Sequence, residues 1–314
     1  MLVKVLGTAA GGGFPQWNCS CRNCRAMREG TFAEPPRSQA QLAASADGSA
    51  WFLINASPDL RYQIESFPTI HPHATSFRDS PIHGVVLTSA ELDASLGLLL
   101  LRESQPLTVY ATEGVIRILT EDNSFCGVLR RRPDQVRWQP ITPHAPSSSD
   151  PFCLETIQGP PSGIRCTPLV TGGAYPGYVA PERAGQFPPE QASIGLFVEH
   201  HGKKFAFIPG SPTAEDSWLA ELERCDALFF DGTFWSDDEL IRVQGTGKTA
   251  REMGHLPVGE PDGSLERFSR LKRPRKFFIH INNTNPMLDE SGDEYRQLTA
   301  AGWELAHDGM ELDL

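Results

Sequence analysis

The sequence lacks an excess of positive charge. Its 314 residues contain 28 Lys and Arg against 39 Asp and Glu, which gives a formal net charge of −11 and an isoelectric point near 5.3. A chain with this balance does not offer the broad basic surface that nucleic-acid binding requires, so we expect no nucleic-acid partner. An anionic small molecule would have to be held by a local group of Arg or Lys side chains.

Long hydrophobic runs and targeting signals are also missing. The most apolar run, residues 96–102, is far shorter than the roughly 20 residues that cross a bilayer. Residues 1–7 are typical of a strand rather than of a secretory signal. We therefore expect no membrane insertion and a cytoplasmic location.

A nucleotide-binding P-loop is incomplete. Residues 245–249 read Gly-Thr-Gly-Lys-Thr, but the pattern requires a glycine five residues before Gly247, and Arg242 stands there. The usual triphosphate site is therefore excluded. Lys248 and Arg251 can still supply positive charge near a site.

Cysteine is present, but not as a disulfide framework. Three of the seven cysteines, Cys19, Cys21 and Cys24, follow a strand and a glycine cluster with the spacing C-x-C-x-x-C. This spacing favours a structural zinc site over a redox pair or three unconnected thiols, because a redox C-x-x-C usually has no third cysteine two residues upstream. A structural zinc takes four ligands, so the fourth must come from elsewhere. The other four are scattered and are expected to be reduced: Cys126, Cys153, Cys166 and Cys225.

Short apolar runs alternate with helical patterns, which predicts an α/β protein. Gly202 lies between two of the runs and predicts a hairpin, so we expect mixed rather than purely parallel sheets. Residues 140–189 are rich in Pro, Gly and Ser and predict an irregular excursion that covers a site. The strands are predicted at 49–55, 84–88, 107–111, 193–199, 204–208, 227–231 and 276–280, and the helices at 96–102, 114–122, 214–223, 264–271 and 293–301.

Polar residues follow or flank several predicted strands. Asp93, Asp231 and His280 come just after strands, and His255 lies in a loop after two glycines. Each has a plain structural explanation: a helix cap for Asp93, a loop contact for His255, and Asx turns for the asparagines beside His280. Because strand ends share one rim in such sheets, we nevertheless predict that these four side chains converge on one cavity.

Six literal motifs are spread over the chain: Gly7-Thr-Ala-Ala-Gly-Gly-Gly-Phe-Pro-Gln-Trp-Asn-Cys19, Asn55-Ala-Ser-Pro-Asp-Leu-Arg61, Asp231-Gly-Thr-Phe-Trp235, Met253-Gly-His-Leu-Pro-Val258, His280-Ile-Asn-Asn-Thr-Asn-Pro286 and Asp308-Gly-Met-Glu311. Together they resemble one family, the B proteins of pyrroloquinoline quinone (PQQ) biosynthesis, over the whole of residues 1–314. That family looks like a branch of the metallo-β-lactamase superfamily. The resemblance implies a single four-layer αββα sandwich with mixed sheets, carrying a zinc-binding loop at residues 14–30.

The resemblance also implies metal ligands, and several are missing here. The superfamily motif T-H-x-H-x-D-H falls on residues 88–94, where its aspartate survives as Asp93 and its last histidine is Ala94. The bridging aspartate of the superfamily falls near Gly210. A dinuclear hydrolytic centre therefore cannot be assembled, and a phosphodiesterase is the weakest interpretation. A single iron or second zinc ion could still be held by the surviving groups: Asp93, His280, Glu91 and also His255.

Two functions from different classes remain open. The first is a metal-dependent oxygenase or hydroxylase that acts on an anionic Glu-Tyr-derived precursor, with Asp231 and His255 as catalytic groups and Arg61, Lys248 and Arg251 as carboxylate-binding residues. The second is a non-catalytic binder that carries PQQ or its precursor onward for transport to the periplasm, together with other proteins of the pathway. For the cysteine site, Asn283 or a neighbour is expected to complete the zinc ligands, with water, His307 or Asp308 as alternatives.

Overall fold

Two seven-stranded sheets form the centre of the computed structural model, which describes residues 1–73, 77–143 and 151–314. The first sheet has the order β14-β1-β2-β3-β4-β5-β6. Its strands are β1 (Leu2–Gly7), β2 (Gln41–Ser45), β3 (Trp51–Ile54), β4 (Ile82–Val86), β5 (Leu107–Ala111), β6 (Val136–Pro140) and β14 (Glu311–Asp313).

The second sheet has the order β13-β12-β11-β10-β9-β8-β7. In both sheets, four neighbouring strands pair in antiparallel fashion and the rest in parallel, which confirms the prediction of mixed sheets. The strands are β7 (Phe152–Cys153), β8 (Arg165–Val170), β9 (Ile194–His200), β10 (Lys203–Ile208), β11 (Ala227–Asp231), β12 (Arg275–Ile279) and β13 (Trp303–Leu305).

The predicted hairpin joins β9 to β10. His201 and Gly202 both have positive φ, at 50° and 79°, which two-residue hairpin turns require. Strand β8 was not predicted, because the segment around it is rich in proline and glycine. It pairs along its whole length with β9, so the irregular excursion is shorter than expected.

Helices cover the outer face of each sheet. Most are short, and the predicted helix at 96–102 is a 3₁₀ helix, Leu96–Leu101. The α-helices are α1 (Arg22–Arg28), α2 (Leu60–Glu65), α3 (Leu92–Ser95), α4 (Glu113–Thr120), α5 (Pro181–Ala184), α6 (Leu219–Leu222), α7 (Glu239–Gln244), α8 (Ser264–Arg267) and α9 (Asp293–Ala300).

Three apolar cores lie between the four layers. Successive residues of a strand point to opposite faces of its sheet, so Phe229 packs between the sheets while Phe230 packs against the helices outside. On that outer face, Phe278 stacks on Trp303 at 4.0 Å between ring centroids. A third core covers the outer face of the first sheet. The expected αββα sandwich is therefore confirmed, with its loops placed along the sheet rims.

Candidate functional site

A cavity of about 360 Å³ opens where loops from both sheets meet. It lies at the carboxyl ends of β4, β11 and β12, where parallel strands usually present their ligand sites. An isolated bridge between Ala9 and Ile281 joins the loop after β1 to the loop after β12. The wall combines carboxylates and imidazoles with apolar side chains, including Glu91, Asp93, Ala94, Phe234, Leu240, Met253, His255 and His280.

His280 directly follows β12 and turns into this cavity. Its backbone has φ of 58°, in the left-handed region that non-glycine residues seldom adopt. The imidazole Nε2 lies 2.8 Å from Asp93 Oδ2, and both side chains are largely buried. The structure thus brings together two predicted ligands that are 187 positions apart in the sequence.

Asp231 ends β11 and is fully buried behind the cavity. Its Oδ2 accepts hydrogen bonds from the Ser211 backbone N–H at 3.0 Å and from His255 Nδ1 at 2.8 Å. Its Oδ1 accepts a hydrogen bond from the Thr233 backbone N–H at 3.0 Å. Asp231 is not one of the described residues that line the cavity. It holds His255 in place from behind, in a position that a substrate in the cavity does not reach.

Thr233 connects the two histidines, and the sequence analysis did not identify it. Its Oγ1 lies 2.6 Å from Asp231 Oδ1, 2.8 Å from His280 Nδ1 and 3.1 Å from His255 Nδ1. If the hydroxyl donates to Asp231, its lone pair can accept a hydrogen bond from His280 Nδ1–H. That bond fixes the ring so that Nε2 faces Asp93, as outer partners of metal-binding histidines do. The sequence signal for this role was its position two residues after Asp231.

The two imidazoles lie nearly parallel, with ring centroids 5.4 Å apart and an interplanar angle of 23°. Ligand atoms of Asp231, His255 and His280 all lie within 4.8 Å of one another. Because Asp231 occupies Nδ1 of His255, the Nε2 of that ring stays available. Asp93 contacts this group through His280 Nε2. Imidazole nitrogens together with carboxylate oxygens are donors of the kind that hold iron, manganese or zinc.

Negative charge dominates the electrostatics of the cavity. Burial raises the pKa of Glu91 at the rim, and the neighbouring charge of Asp93 raises it further. Burial also opposes ionisation of Asp93, but the hydrogen bond with His280 brings the pKa of Asp93 below its ordinary value. Burial alone would lower the pKa of His280, and the bond and charge of Asp93 instead raise it. The cavity therefore stabilises a cation.

Two cavity positions carry no ligand side chain. Ala94 is buried and lines the wall next to Asp93. Gly210 lies just beyond β10, and a Cβ added there would be 3.6 Å from Cε1 of His255, so a side chain at this position would point at the histidine pair. The resemblance places a histidine of the superfamily pattern at Ala94 and its bridging aspartate near Gly210, and neither donor is present here.

The three predicted carboxylate-binding residues lie outside the cavity wall. Arg61, Lys248 and Arg251 are all exposed, and no Arg or Lys is among the described residues that line the cavity. Arg61 is on α2, and Arg251 begins a 3₁₀ turn that leads to His255. Any contribution of these side chains to substrate binding is therefore made from outside the cavity wall.

The three cysteines of the C-x-C-x-x-C motif form a second cluster. Their Sγ atoms all lie within 4.8 Å of one another, compatible with the roughly 3.8 Å edge of a zinc–thiolate tetrahedron. Cys21 is the N-cap of α1, and its sulfur accepts the Cys24 backbone N–H at 3.5 Å. The Gln16 N–H likewise points at the Cys24 sulfur, at 3.4 Å. Backbone donors aimed at sulfur are suited to thiolates, so the loop is built for a cation.

Asn283 fills the remaining side of this cluster. Its Nδ2 lies 3.1 Å from the sulfur of Cys19, 3.6 Å from that of Cys21 and 3.3 Å from that of Cys24. Burial raises the pKa of Cys24 to about 12, and the charges of Cys21 and Cys19 contribute. Of the alternatives, Asp308 bonds Thr8 and Ser38, and His307 is exposed with its ring beside the Asp308 carbonyl. Asn283 is thus the expected candidate that the structure brings to the sulfurs.

Glu239 is a buried carboxylate that the sequence analysis also missed. It lies at the start of α7 and accepts hydrogen bonds from Thr284 Oγ1 at 2.5 Å and from the Trp235 backbone N–H at 2.7 Å. Burial raises the pKa of Glu239 to about 7, and the nearby charge of Arg242 lowers it only in part. Near neutral pH the folded chain therefore keeps a proton that the unfolded chain releases.

We expect Glu239→Gln to flatten the pH dependence of stability. Since the folded-state pKa lies above the ordinary value of 4.5, the free energy of unfolding falls as the pH rises from about 4.5 through 7. A neutral glutamine removes this loss, which is on the order of 3 kcal/mol at pH 8. Urea unfolding at pH 5.5 and 8 measures it, with the exposed Glu304→Gln as control. An unchanged pH slope would contradict the assignment.

The fold and the site define a class of protein. A family model described as a beta-lactamase superfamily domain matches residues 50–281, and the chain belongs to that superfamily. The matched range contains Asp93, Asp231, His255 and His280, and it ends one residue after His280. The cysteine cluster precedes it.

Within the superfamily, the chain belongs to the coenzyme PQQ synthesis protein B family. It is 43% identical to the protein of that name from Nitrosococcus oceani and 42% identical to the one from Azotobacter vinelandii, in each case over 100% of both chains. The crystal structure of Zn²⁺-bound PqqB from Methylobacterium extorquens is 38% identical, with a TM-score of 0.89 and full coverage of both chains. The family expected from the sequence motifs is confirmed.

Proposed function

We propose that this chain acts in PQQ biosynthesis as a metal-dependent hydroxylase of a Glu-Tyr-derived precursor. The proposal rests on the hydrogen bonds that orient the two histidine rings. His255 and His280 are each fixed through Nδ1 by a buried partner, Asp231 or Thr233, and His280 faces Asp93 across 2.8 Å. A protein that only carried its ligand would not need this oriented donor set.

A single metal ion is proposed for this cavity. His255, His280 and Asp93 would hold it, with Glu91 at the rim as a further oxygen donor, and the ion would supply a site for dioxygen and redox chemistry. Asp231 serves as a positioning residue rather than an acid or base, because it is buried and both its oxygens are hydrogen-bonded. Iron is the ion that fits the proposed reaction, and zinc fits the same donors.

The reaction requires an oxidant and a reductant. Hydroxylation replaces a ring C–H bond with C–O–H: one atom of dioxygen enters the product, and the other leaves as water with two electrons and two protons from the reductant. Phe234, Leu240 and Met253 line the cavity and provide an apolar surface for a tyrosine-derived ring. Exposed Arg61, Lys248 and Arg251 are proposed to attract its carboxylates from outside.

The cysteine cluster is proposed to hold a structural zinc. Cys19, Cys21 and Cys24 would supply three thiolates. Asn283 would supply the fourth donor through its side-chain oxygen once its amide, whose Nδ2 faces the sulfurs, is turned over. The last metal-binding histidine and this asparagine lie three residues apart in one loop. A zinc bound there would therefore also fix the loop that carries His280.

A carrier of PQQ or its precursor is the second candidate. The absence of donors at Ala94 and Gly210 favours it, because both gaps weaken the binding of a metal. A phosphodiesterase has no comparable support, since it would need the two-metal centre that these gaps prevent.

The two candidates differ in one assay. Precursor extracted from cells that lack their own B protein is mixed with iron-loaded protein, ascorbate and isotopically heavy dioxygen. A hydroxylase adds one labelled oxygen atom to the precursor, as seen by mass spectrometry. Precursor that binds but gains no oxygen with iron, manganese or zinc would reject the hydroxylase and leave the carrier.

We expect Ala94→His to increase metal occupancy of the cavity. Ala94 lines the wall beside Asp93, so an imidazole there adds a neutral nitrogen donor to the set. A gain of about tenfold in iron or zinc affinity is the expected size for one added ligand contact. Metal titration measures this gain, and Ala184→His on α5, outside the cavity wall, is the control. If Ala94→His binds no more metal than the control, the cavity is not a metal site.

A further inference from the structure

A second cavity of about 550 Å³ lies between the zinc loop and α7. It shares Gly11, Leu240 and Asn282 with the wall of the histidine cavity, so the two spaces are neighbours separated by common side chains. The second cavity, called the amide groove below, therefore lies between the histidine cavity and the cysteine cluster. A volume of this size is typical of a ligand site.

Side-chain amides dominate the polar surface of this groove. Gln16 and Asn18 come from the zinc loop, Gln244 from α7, and Asn282 from the loop after β12. In the described part of the chain, the amides of Gln16, Asn18 and Gln244 have no hydrogen-bond partner within the protein. Asn282 uses its NH₂ group on Thr284 Oγ1 at 2.6 Å and keeps its Oδ1 available. Three separate segments thus direct carboxamides into one groove.

The groove differs from the histidine cavity in charge. Apart from the cysteines, none of its described lining side chains is ionisable, whereas the histidine cavity carries Glu91 and Asp93. Leu240 and Val243, one helical turn apart on α7, add an apolar strip, and Val243 is 47% exposed. The surface is therefore matched to an uncharged ligand with both donors and acceptors.

We infer that this groove is a subsite for a peptide-like arm of the substrate. Each carboxamide offers one acceptor and two donors, which pair with the N–H and C=O of a peptide group. The ring to be modified would lie in the histidine cavity while the arm extends along α7 toward Asn18. This inference rests on the proposed function, because it assigns a place to a further part of the same substrate.

The test compares the binding of three synthetic peptides to the zinc-loaded full chain by calorimetry. The first is the Glu-Tyr dipeptide. The second is the same dipeptide extended at its N-terminus by acetyl-Ala-Ala, and the third is extended at its C-terminus by Ala-Ala-amide. We expect one of the extended peptides to bind about tenfold more tightly than the dipeptide. Gln244→Leu should remove that gain, and the exposed Gln297→Leu on α9 should keep it.

The outcomes separate this inference from the proposed function. Equal affinity of all three peptides, failure of all three to bind, or a gain that persists in both Gln244→Leu and Asn18→Leu would overturn the subsite. The hydroxylation assay with labelled dioxygen is independent of this comparison. A gain lost in Gln244→Leu without any oxygen transfer would support the subsite and reject the hydroxylase.

Discussion

Cys24→Ser is expected to release the structural zinc and to lower stability strongly. Cys24 is fully buried at the third position of α1, and its sulfur lies beside those of Cys19 and Cys21. Because metal affinity is coupled to folding, we expect a loss on the order of 5 kcal/mol. For a chain of this size that corresponds to a melting temperature lower by about 10 °C.

Two other cysteines provide matched controls. Cys225 is also buried but is not part of the cysteine cluster, and Cys153 is exposed. Cys225→Ser should cost some packing energy without loss of zinc, and Cys153→Ser should change neither quantity. Atomic absorption measures the zinc content of the three variants, and thermal unfolding measures their melting temperatures. If Cys24→Ser retains full zinc content and the wild-type melting temperature, the cysteines do not form a zinc site.

His280→Ala is expected to abolish PQQ production. His280 is placed between Asp93 and Thr233, so its removal takes a ligand from the proposed ion and leaves Asp93 without its imidazole partner. Loss of several kcal/mol of metal-derived stabilisation corresponds to a rate about 10³-fold lower. The measurement is PQQ secreted by a strain whose own B protein is deleted and replaced by each variant.

His307→Ala is the matched control for that experiment. His307 is exposed, and its ring nitrogen Nδ1 lies beside the backbone carbonyl of the neighbouring Asp308. It should support wild-type production. Wild-type production by His280→Ala, at a protein level equal to that of the control, would exclude catalysis at this cavity.

The sequence pattern predicted the strands of the parallel regions well. Residues 227–230 and 277–279 are uninterrupted apolar runs, because these strands are buried on both faces. It missed β8, where Pro168 and flanking polar residues hide a strand that pairs with β9. The αββα arrangement came from the family resemblance, since alternation of strands and helices is common to many α/β folds.

The ligand candidates were predictable from their positions after strands, but their arrangement was not. Asp93 and His280 are brought together by the approach of two different sheets, which no local pattern encodes. Thr233 was missed because its role depends on how two rings are turned by their Nδ1 partners. The carboxylate-binding residues were predicted from their positive charge, and they lie outside the cavity wall: Arg61, Lys248 and Arg251.

The Glu239 carboxylate and the amide groove have no sequence signal. Glu239 is the first residue of the short helix α7, and it is buried where it meets Thr284. The groove exists because the zinc loop and α7 lie side by side. Such features depend on tertiary contacts, whereas a C-x-C-x-x-C spacing is a local property that can be recognised directly.

Metal content of the chain purified without chelators and without oxygen tests the central claim most directly. The claim of a metal-dependent catalyst predicts two ions per chain, one of them zinc, with iron enriched in the other. His280→Ala should lose the second ion and keep the first, and Cys24→Ser should lose the zinc. One zinc per chain in the wild type, unchanged in His280→Ala and absent in Cys24→Ser, would contradict a catalytic metal centre in the histidine cavity.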